Sequence, residues 1–421
     1  MTQAMKTVSM HTASESVEFD YDERGNRRRV ATLRNAGVEV WGAERVYIGP
    51  EVPLDSIEPG AVLMNAVIRG TQTAIGAQSK IGVSGAAALF NTRIGCGAEI
   101  GAGTYSGTTL FHGVRVRGFA ELREGTVLEE SAETAHNVGL KHTFFTIGVV
   151  AGSCINYCDV LVTGGSSRHD HTEIGSGAVH FNFDPHGDKF GSLIGDVTGL
   201  LLRKRRIFIG GNTGVVAPVH VGFGAVVAAG TVVRKDLEAD CMYTGAAESH
   251  RPGSPGTFNP DVYYDLRRKL VTTAKLCGNL QALEVWYRTI RLPFASGLER
   301  ILCDHAMGNI RLHVEQRGRE VDRLIAKLVQ LTKGSNDRRN PFRSQHLLIG
   351  QMRAQILALL TRPAPAVDPP ADFLRRYAKA KKVTDHGTAI REMPAKVAAD
   401  TENWLAAMAS SPGADLHTLL V

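Results

Sequence analysis

The sequence predicts a mainly β fold: a parallel β-helix over roughly the first 240 residues, followed by a C-terminal α-helical domain. Three observations point there: an aliphatic residue at every sixth position, glycine crowded into the same stretch, and few aromatics. Of the 45 glycines in 421 residues, 34 lie in residues 1–240 and 11 beyond, while the 16 prolines split 5 and 11. No Gly-x-y period is present, which excludes collagen, and 43% hydrophobic with 21% charged residues excludes a globally disordered chain.

The repeat comes first. Ile57, Leu63, Ile75 and Ile81 keep a six-residue step with one unit skipped at Arg69, as do Leu110, Val116, Leu122 and Leu128, and then Ile209, Val215, Val221, Val227 and Val233. Glycine often follows the aliphatic residue, as in Ile75-Gly76, Ile94-Gly95, Ile174-Gly175 and Ile209-Gly210. Period six matches neither the 3.6 of a helix nor the 2 of a half-buried strand. It suits short flat strands joined by sharp corners, with one aliphatic per unit turned inward and glycine supplying positive φ at the corners. Stacked units then bury a continuous column. The repeat runs from about Val46 to Val233, and residues 129–146, 153–173, 182–193 and 197–206 depart from it. In a solenoid such departures are expected to be loops on one side, where function concentrates.

Around this core the expected divisions are an N-terminal segment, 1–34, partly disordered; the solenoid, 35–240; a linker, 241–260, containing SHRPGSPGTFNP; and a helical domain, 261–421. In the last, Val321, Leu324, Ile325, Leu328 and Leu331 have helical spacing, as do Leu348, Met352, Ile356 and Leu359. RPAPAVDPP (362–370) breaks the helices and DFLRRYAKAKK resumes them. Packing, oligomerisation or partner binding are the expected tasks of this part.

Charge steps at the same boundary. Residues 1–240 hold 22 Lys+Arg against 25 Asp+Glu, and residues 241–421 hold 26 against 17, so the net +6 belongs to the C-terminal part. No basic run there is interleaved with aromatics, which favours a solvated helical face and argues against a nucleic-acid partner. The six cysteines form no CxxC pair, so neither a disulfide framework nor a zinc knuckle is indicated. The N-terminus lacks the apolar core of a signal peptide, and no stretch approaches the roughly 18 apolar residues of a membrane span. A cytoplasmic protein without a membrane partner is expected.

Two segments carry more than periodicity: FNFDPHGDKFGSLIGD (181–196) and IGGNTGVVAPVHVGFGAVVAAGTVV (209–233). Together with NAGVEVWGAERVYIG (35–49), they resemble the acetyltransferase half of the bifunctional N-acetylglucosamine-1-phosphate uridyltransferase / glucosamine-1-phosphate N-acetyltransferase family. That family's Asn-Tyr-Asp-Gly segment with a nearby Lys, its Ile-Gly-Asp unit and its Val-Ala-Pro-Val coil become here Asn182-Phe183-Asp184, Lys189, Ile194-Gly195-Asp196 and Val216-Ala217-Pro218-Val219. The resemblance covers about residues 35–235. It implies a left-handed parallel β-helix of hexapeptide repeats, triangular in section and assembled as a homotrimer with active sites between subunits. It also implies acetyl-CoA as co-substrate and an amino-sugar phosphate or nucleotide sugar as acceptor.

Residue by residue, the resemblance implies that Arg117, Lys141, Tyr157, Asn182 and Lys189 bind the substrate, and that Ser176, Gly211 and Ala229 pack acetyl-CoA against the coil. Two departures stand out. The Gly-rich nucleotidyl-transfer loop has no counterpart in the 45 residues before the repeat, so uridyl transfer is not expected. The family's general-base His, two or three residues before the tyrosine, is replaced by Ser153-Cys154-Ile155-Asn156-Tyr157. An amine must lose a proton as it attacks a thioester, and a placed base contributes about 10²–10⁴-fold. His142, beside Lys141, and His180, two residues before Asn182, are the candidate bases.

Two other readings follow from the same residues. A chain that kept the phosphate grip and lost the base would be a sugar-nucleotide-binding or scaffolding protein. His142, His169, His171, His180 and His186 cluster at the interruptions, and γ-class carbonic anhydrases of this repeat type bind zinc with three His; their other signatures are absent, and no metal is expected. Arg203-Lys204-Arg205-Arg206 reads either as a grip on a CoA or nucleotide phosphate or as a charged loop excluded from the coil. Cys154 and Cys158, in an apolar stretch, are expected to be buried and inert.

Overall fold

A computed structural model describes residues 6–11, 16–245, 263–334 and 343–420. Of the expected linker, 241–260, residues 246–260 lie outside the described residues, while Met242–Tyr243 still pairs with Val226–Val227 as a strand of the coil. The chain is a parallel β-solenoid followed by a helical region, and it divides into two compact units, Met1–Asn156 with Ala295–Asn309, and Tyr157–Phe294 with Ile310–Val421.

In the first unit three parallel ladders make the three faces of the coil. One runs through Val62–Leu63, Lys80–Ile81, Glu99–Ile100, Arg115–Val116 and Glu133–Thr134. A second joins Ala66–Arg69, Ala87–Phe90, Gly103–Ser106 and Ala120–Leu122, and a third Ala74–Ile75, Arg93–Ile94, Thr109–Leu110 and Val127–Leu128. Arg115 pairs with Glu133 eighteen residues on, three hexapeptides per coil. The period-six residues face inward: Leu63, Ile75, Ile81, Leu110, Leu122 and Leu128 are fully buried. Before the coils, Glu23–Asn35 forms a helix capped by Asp22, whose carboxylate accepts from the Gly25 amide, with Val30 and Leu33 buried.

Two expectations change here. Residues 129–146 are not a loop: Val138–Phe145 is an eight-residue strand pairing Leu122 with Leu140 and Val127 with Phe144, so it spans two faces of one coil. The corner between those faces is taken by His142 at φ +45°. The aliphatic period fails there because Phe144 and Phe145 fill the interior. Glycine, too, has a second use. Gly76, Gly95, Gly101, Gly175 and Gly210 are not at positive φ; a Cβ on Gly95 would lie 2.6 Å from the His112 amide nitrogen, and one on Gly210 2.4 Å from that of Ala229. These five glycines therefore let adjacent coils approach, whereas Gly82, Gly148 and Gly195, which also follow Ile, do take positive φ, as do corners at other residues, among them Gly113, Asn137 and Cys154. Cys154 is exposed at such a corner rather than buried.

In the second unit the ladders continue through Glu173–Ile174, Phe208–Ile209 and Val226–Val227, through Val179–Phe181, Gly214–Val216 and Val232–Val233, and through Ser192–Ile194 and His220–Val221. Ile209, Val215, Val221, Val227 and Val233 are fully buried. Three excursions leave the coil: an antiparallel pair at Gly165–Ser167 with Asp170–His171, a hairpin closed by Phe183 and Lys189, and a 3₁₀ turn at Val197–Leu201. This unit's helices include Leu266–Trp286, Ala371–Ala380 and Ala395–Leu419, and it holds the part of the helix Gly297–Gly334 from Ile310 on. Leu270, Leu324, Ile325, Leu328, Ile349, Ile356 and Leu360 form one apolar cluster that also takes in Phe190 of the hairpin. Leu348, expected inside, is 36% exposed, and the buried stripe runs through Ile349 instead.

Candidate functional site

In the second unit the FNFDPHGDKF segment forms the hairpin. Its rungs are Phe190 N–H to Asn182 O at 2.6 Å and Asp184 N–H to Asp188 O at 3.0 Å, with Gly187 turning the tip. Helical residues hold it from several sides. Lys269 reaches the Asp184 carboxylate at 2.7 Å, and Lys327 donates to Asp188 at 2.6 Å and to the His186 carbonyl at 3.1 Å. Tyr263 stacks on the His186 ring at 4.0 Å. Burial would raise the Asp184 pKa, but the hydrogen bond and charge of Lys269 outweigh it and hold the carboxyl below its ordinary range.

Beneath the hairpin lies a buried ion pair that sequence reasoning missed. Asp159, at φ +64°, accepts from Arg317 Nη2 at 2.7 Å and from Asn182 Nδ2 at 2.7 Å on its other oxygen. Both charged side chains are almost wholly buried, and Arg317 Nη1 also donates to the Lys189 carbonyl at 3.3 Å. Asn182 is thus oriented by a carboxylate that is fixed in turn by a helix. No motif announces this, because Asp159 and Arg317 are 158 residues apart.

The other expected residues of this unit fall into two groups. Tyr157 is fully buried, its ring 5.8 Å from that of His180, and burial raises its hydroxyl pKa. His180 is 4% exposed, with Nε2 2.8 Å from Ser192 Oγ; burial, opposed by the charge of Asp159, pushes its pKa down to about 4. Lys189 is exposed on the hairpin. Ser176, Gly211 and Ala229 each stand two residues beyond a buried aliphatic of one ladder, Ile174, Ile209 and Val227, which pair in register. They therefore stack as one corner column on consecutive coils, tied by Asn212 N–H to Ser176 O and Gly230 N–H to Gly211 O, both 2.8 Å.

Arg203–Arg206 is engaged by its own unit. Arg203 donates to the Arg391 and Met393 carbonyls, Lys204 pairs with Glu402, and Arg205 meets Asp240 at 2.6 Å. A cavity of about 470 Å³ nearby has Asp196, His220, Lys275 and His417 in its wall and none of the expected residues. His171 Nδ1 is 2.8 Å from the Arg168 carbonyl. Among the described residues, no group of three or more His, Cys, Asp or Glu is placed to hold a metal ion.

In the first unit Lys141 pairs with Glu124 at 2.7 Å. Burial would raise the Glu124 pKa, but Lys141 outweighs it and lowers it. His142 is 5% exposed and packs over Gly125, where an added Cβ would lie 2.3 Å from the ring. Arg117 is exposed and lines a cavity of about 430 Å³ with Ser84, Glu99, Arg115, Phe119 and His136. Arg115 is paired with Glu133 at 3.1 Å, whereas Arg117 makes no ion pair among the described residues. His136, also exposed, has Nδ1 3.0 Å from Ser153 Oγ. The coil length was the available signal for this contact: one turn sets Cys154 N–H on His136 O at 3.0 Å.

No family model matches the chain. Over 221 residues it is 33% identical to the bifunctional protein GlmU of Nitratidesulfovibrio vulgaris, covering 52% of this chain and 44% of that protein. GlmU of Oleidesulfovibrio alaskensis is 32% identical over 211 residues, 48% and 40% of the two chains, and that of an Exiguobacterium species 26% over 261 residues, 57% and 51%. The chain spans about half the length of the curated relatives it matches. Among solved structures, a mutant of GDP-perosamine N-acetyl transferase from Caulobacter crescentus in complex with CoA and GDP-perosamine shares 14% identity over 52% of this chain and 61% of that one, at a TM-score of 0.09. At that score the likeness carries no weight. The sequence similarity to GlmU and the stacked parallel coils together make this chain resemble the left-handed β-helical acetyltransferase half of that family.

Proposed function

We propose that the chain is a CoA-dependent N-acyltransferase that moves an acyl group, acetyl in the first instance, to the amine of an amino-sugar phosphate or nucleotide-linked amino sugar. The observation behind it is the stretch 176–233: its 181–196 and 209–233 segments read as the acetyltransferase pattern, and it folds with a small-residue corner column, Ser176, Gly211 and Ala229, next in sequence to a hairpin bearing Asn182 and Lys189. A corner without large side chains lets a pantetheine arm lie along backbone amides. In the first unit, Arg117 and Lys141 carry the guanidinium and ammonium groups that suit a phosphate. Asn182 would hold the sugar or the amine; Tyr157, expected beside the substrate, has its ring inside the coil. His142 and His180, candidate bases by sequence, have their rings inside the coil. A homotrimer completes this reading, as in the family it resembles.

The test is incubation with acetyl-CoA and a panel of amino-sugar phosphates and nucleotide amino sugars, following free-thiol release. Turnover that Lys189→Ala weakens supports the proposal. No release with any acceptor, and ligand binding indifferent to Lys189→Ala, would sink it. Stabilisation by a nucleotide sugar without acyl transfer would favour the binding-protein reading.

A further inference from the structure

We propose that His136, oriented by Ser153, is the general base of this reaction and that the cavity it shares with Arg117 receives the phosphorylated amine. The inference rests on the acyl-transfer reading and deepens it. The resembled family's base would fall at Cys154 or Ile155, neither of which is a base, and Ser153 is the next residue before them. The neighbouring coil supplies an imidazole beside that stretch, with Nδ1 3.0 Å from Ser153 Oγ.

Other histidines are committed differently. His112 Nδ1 accepts from the Cys96 amide at 2.9 Å, His186 stacks on Tyr263, and His142 and His180 are 5% and 4% exposed. His136 combines exposure with a place in the wall of a cavity of about 430 Å³. That wall also has Arg117, whose charge meets no carboxylate among the described residues, and Phe119, 70% exposed. A cation without a counter-ion suits an anionic substrate, and an aromatic ring suits the apolar face of a sugar. Glu99 in the same wall is near Lys80 at 3.5 Å and Arg115 at 4.0 Å, so its charge is shared.

The chemistry balances with these groups. With its proton on Nδ1, His136 donates to Ser153 Oγ and keeps the Nε2 lone pair for the substrate. As the amine nitrogen forms its bond to the thioester carbonyl carbon, Nε2 takes the departing N–H proton. The C–S bond breaks, and the CoA thiolate leaves with the proton returned from the imidazolium, giving an amide and a free thiol.

The experiment measures thiol release from acetyl-CoA by wild type, His136→Ala, Ser153→Ala and Arg117→Ala, using an acceptor that wild type acetylates and checking each fold by thermal melt. His136→Ala should lower kcat by about 10²–10⁴-fold with KM within roughly threefold, and added imidazole should restore part of the rate. Ser153→Ala should lose about tenfold, while Arg117→Ala should act mainly on KM. Wild-type turnover with His136→Ala within about threefold of it overturns the base assignment alone. A wild type inactive on every acceptor overturns the acyl-transfer reading and the base with it.

Discussion

Arg317→Met is the sharpest probe of how the helices position the candidate site. Arg317 and Asp159 are 1% and 3% exposed and pair at 2.7 Å, and His313 Nε2 lies 3.9 Å from the same carboxylate oxygen. Methionine fills much of the same space, so little cavity penalty is added. What remains is a buried carboxylate that has lost its guanidinium, and losing one partner of such a pair costs about 3–5 kcal/mol. The hairpin hangs on that contact through Asn182 and the Lys189 carbonyl. Local opening there should therefore ease by a similar amount, and 3 kcal/mol corresponds to roughly 150-fold faster exchange. The assay is hydrogen exchange of the Asp184, Gly187 and Phe190 amides at pH 7. Because a neutral side chain escapes the charge penalty, Asp159→Asn with Arg317→Met should recover most of the loss. Exchange in Arg317→Met within about threefold of wild type, or a double variant no better than the single, would refute the reasoning.

Other consequences follow from the same geometry. Lys269→Ala should loosen the hairpin more than Lys327→Ala, because the side chain of Lys269 is 15% exposed and that of Lys327 41%; equal exchange rates at Gly187 would contradict this. Gly210→Ala sets a Cβ 2.4 Å from the Ala229 amide nitrogen and should cost about 1–3 kcal/mol by thermal denaturation; an unchanged melt would show that coil spacing gives way. His180, near 4 in the fold against about 6.5 unfolded, binds its proton more readily in the unfolded chain. Its contribution is full above pH 6.5 and is lost as pH falls towards 4, by roughly 3 kcal/mol, with His305, pushed down to about 3 by burial and Arg93, adding in the same direction. Denaturant unfolding across that window should show the slope, and His180→Gln should flatten part of it; a level wild-type profile would count against both burials.

The solenoid was legible because its signal is local and repeated. Ile209, Val215, Val221, Val227 and Val233 each declare the same inward position. Where a single coil solves the corner differently, with His142 at φ +45° in mid-strand, period reading mistakes a strand for a loop. Glycine was read as a turn residue throughout, although at Gly95 and Gly210 the constraint is the next coil's backbone, which no sequence window contains. The candidate site was half legible. Asn182, Lys189 and the Ser176–Gly211–Ala229 set are what the family resemblance implies. The Asp159–Arg317 pair and the His136–Ser153 contact depend on which side chains two separate stretches present to each other. The role of the helices was the least legible: Lys269, Arg317 and Lys327 look like ordinary surface charges in helical sequence, yet each is spent on the hairpin or the carboxylate under it.

The most direct test of the proposed function is mass spectrometry of the acceptor itself after incubation with acetyl-CoA and the full chain. An amino-sugar phosphate or nucleotide amino sugar should gain one acetyl group on nitrogen with wild type and far less with His136→Ala. Acceptors recovered unmodified across the panel, with the protein folded and acetyl-CoA intact, would contradict it.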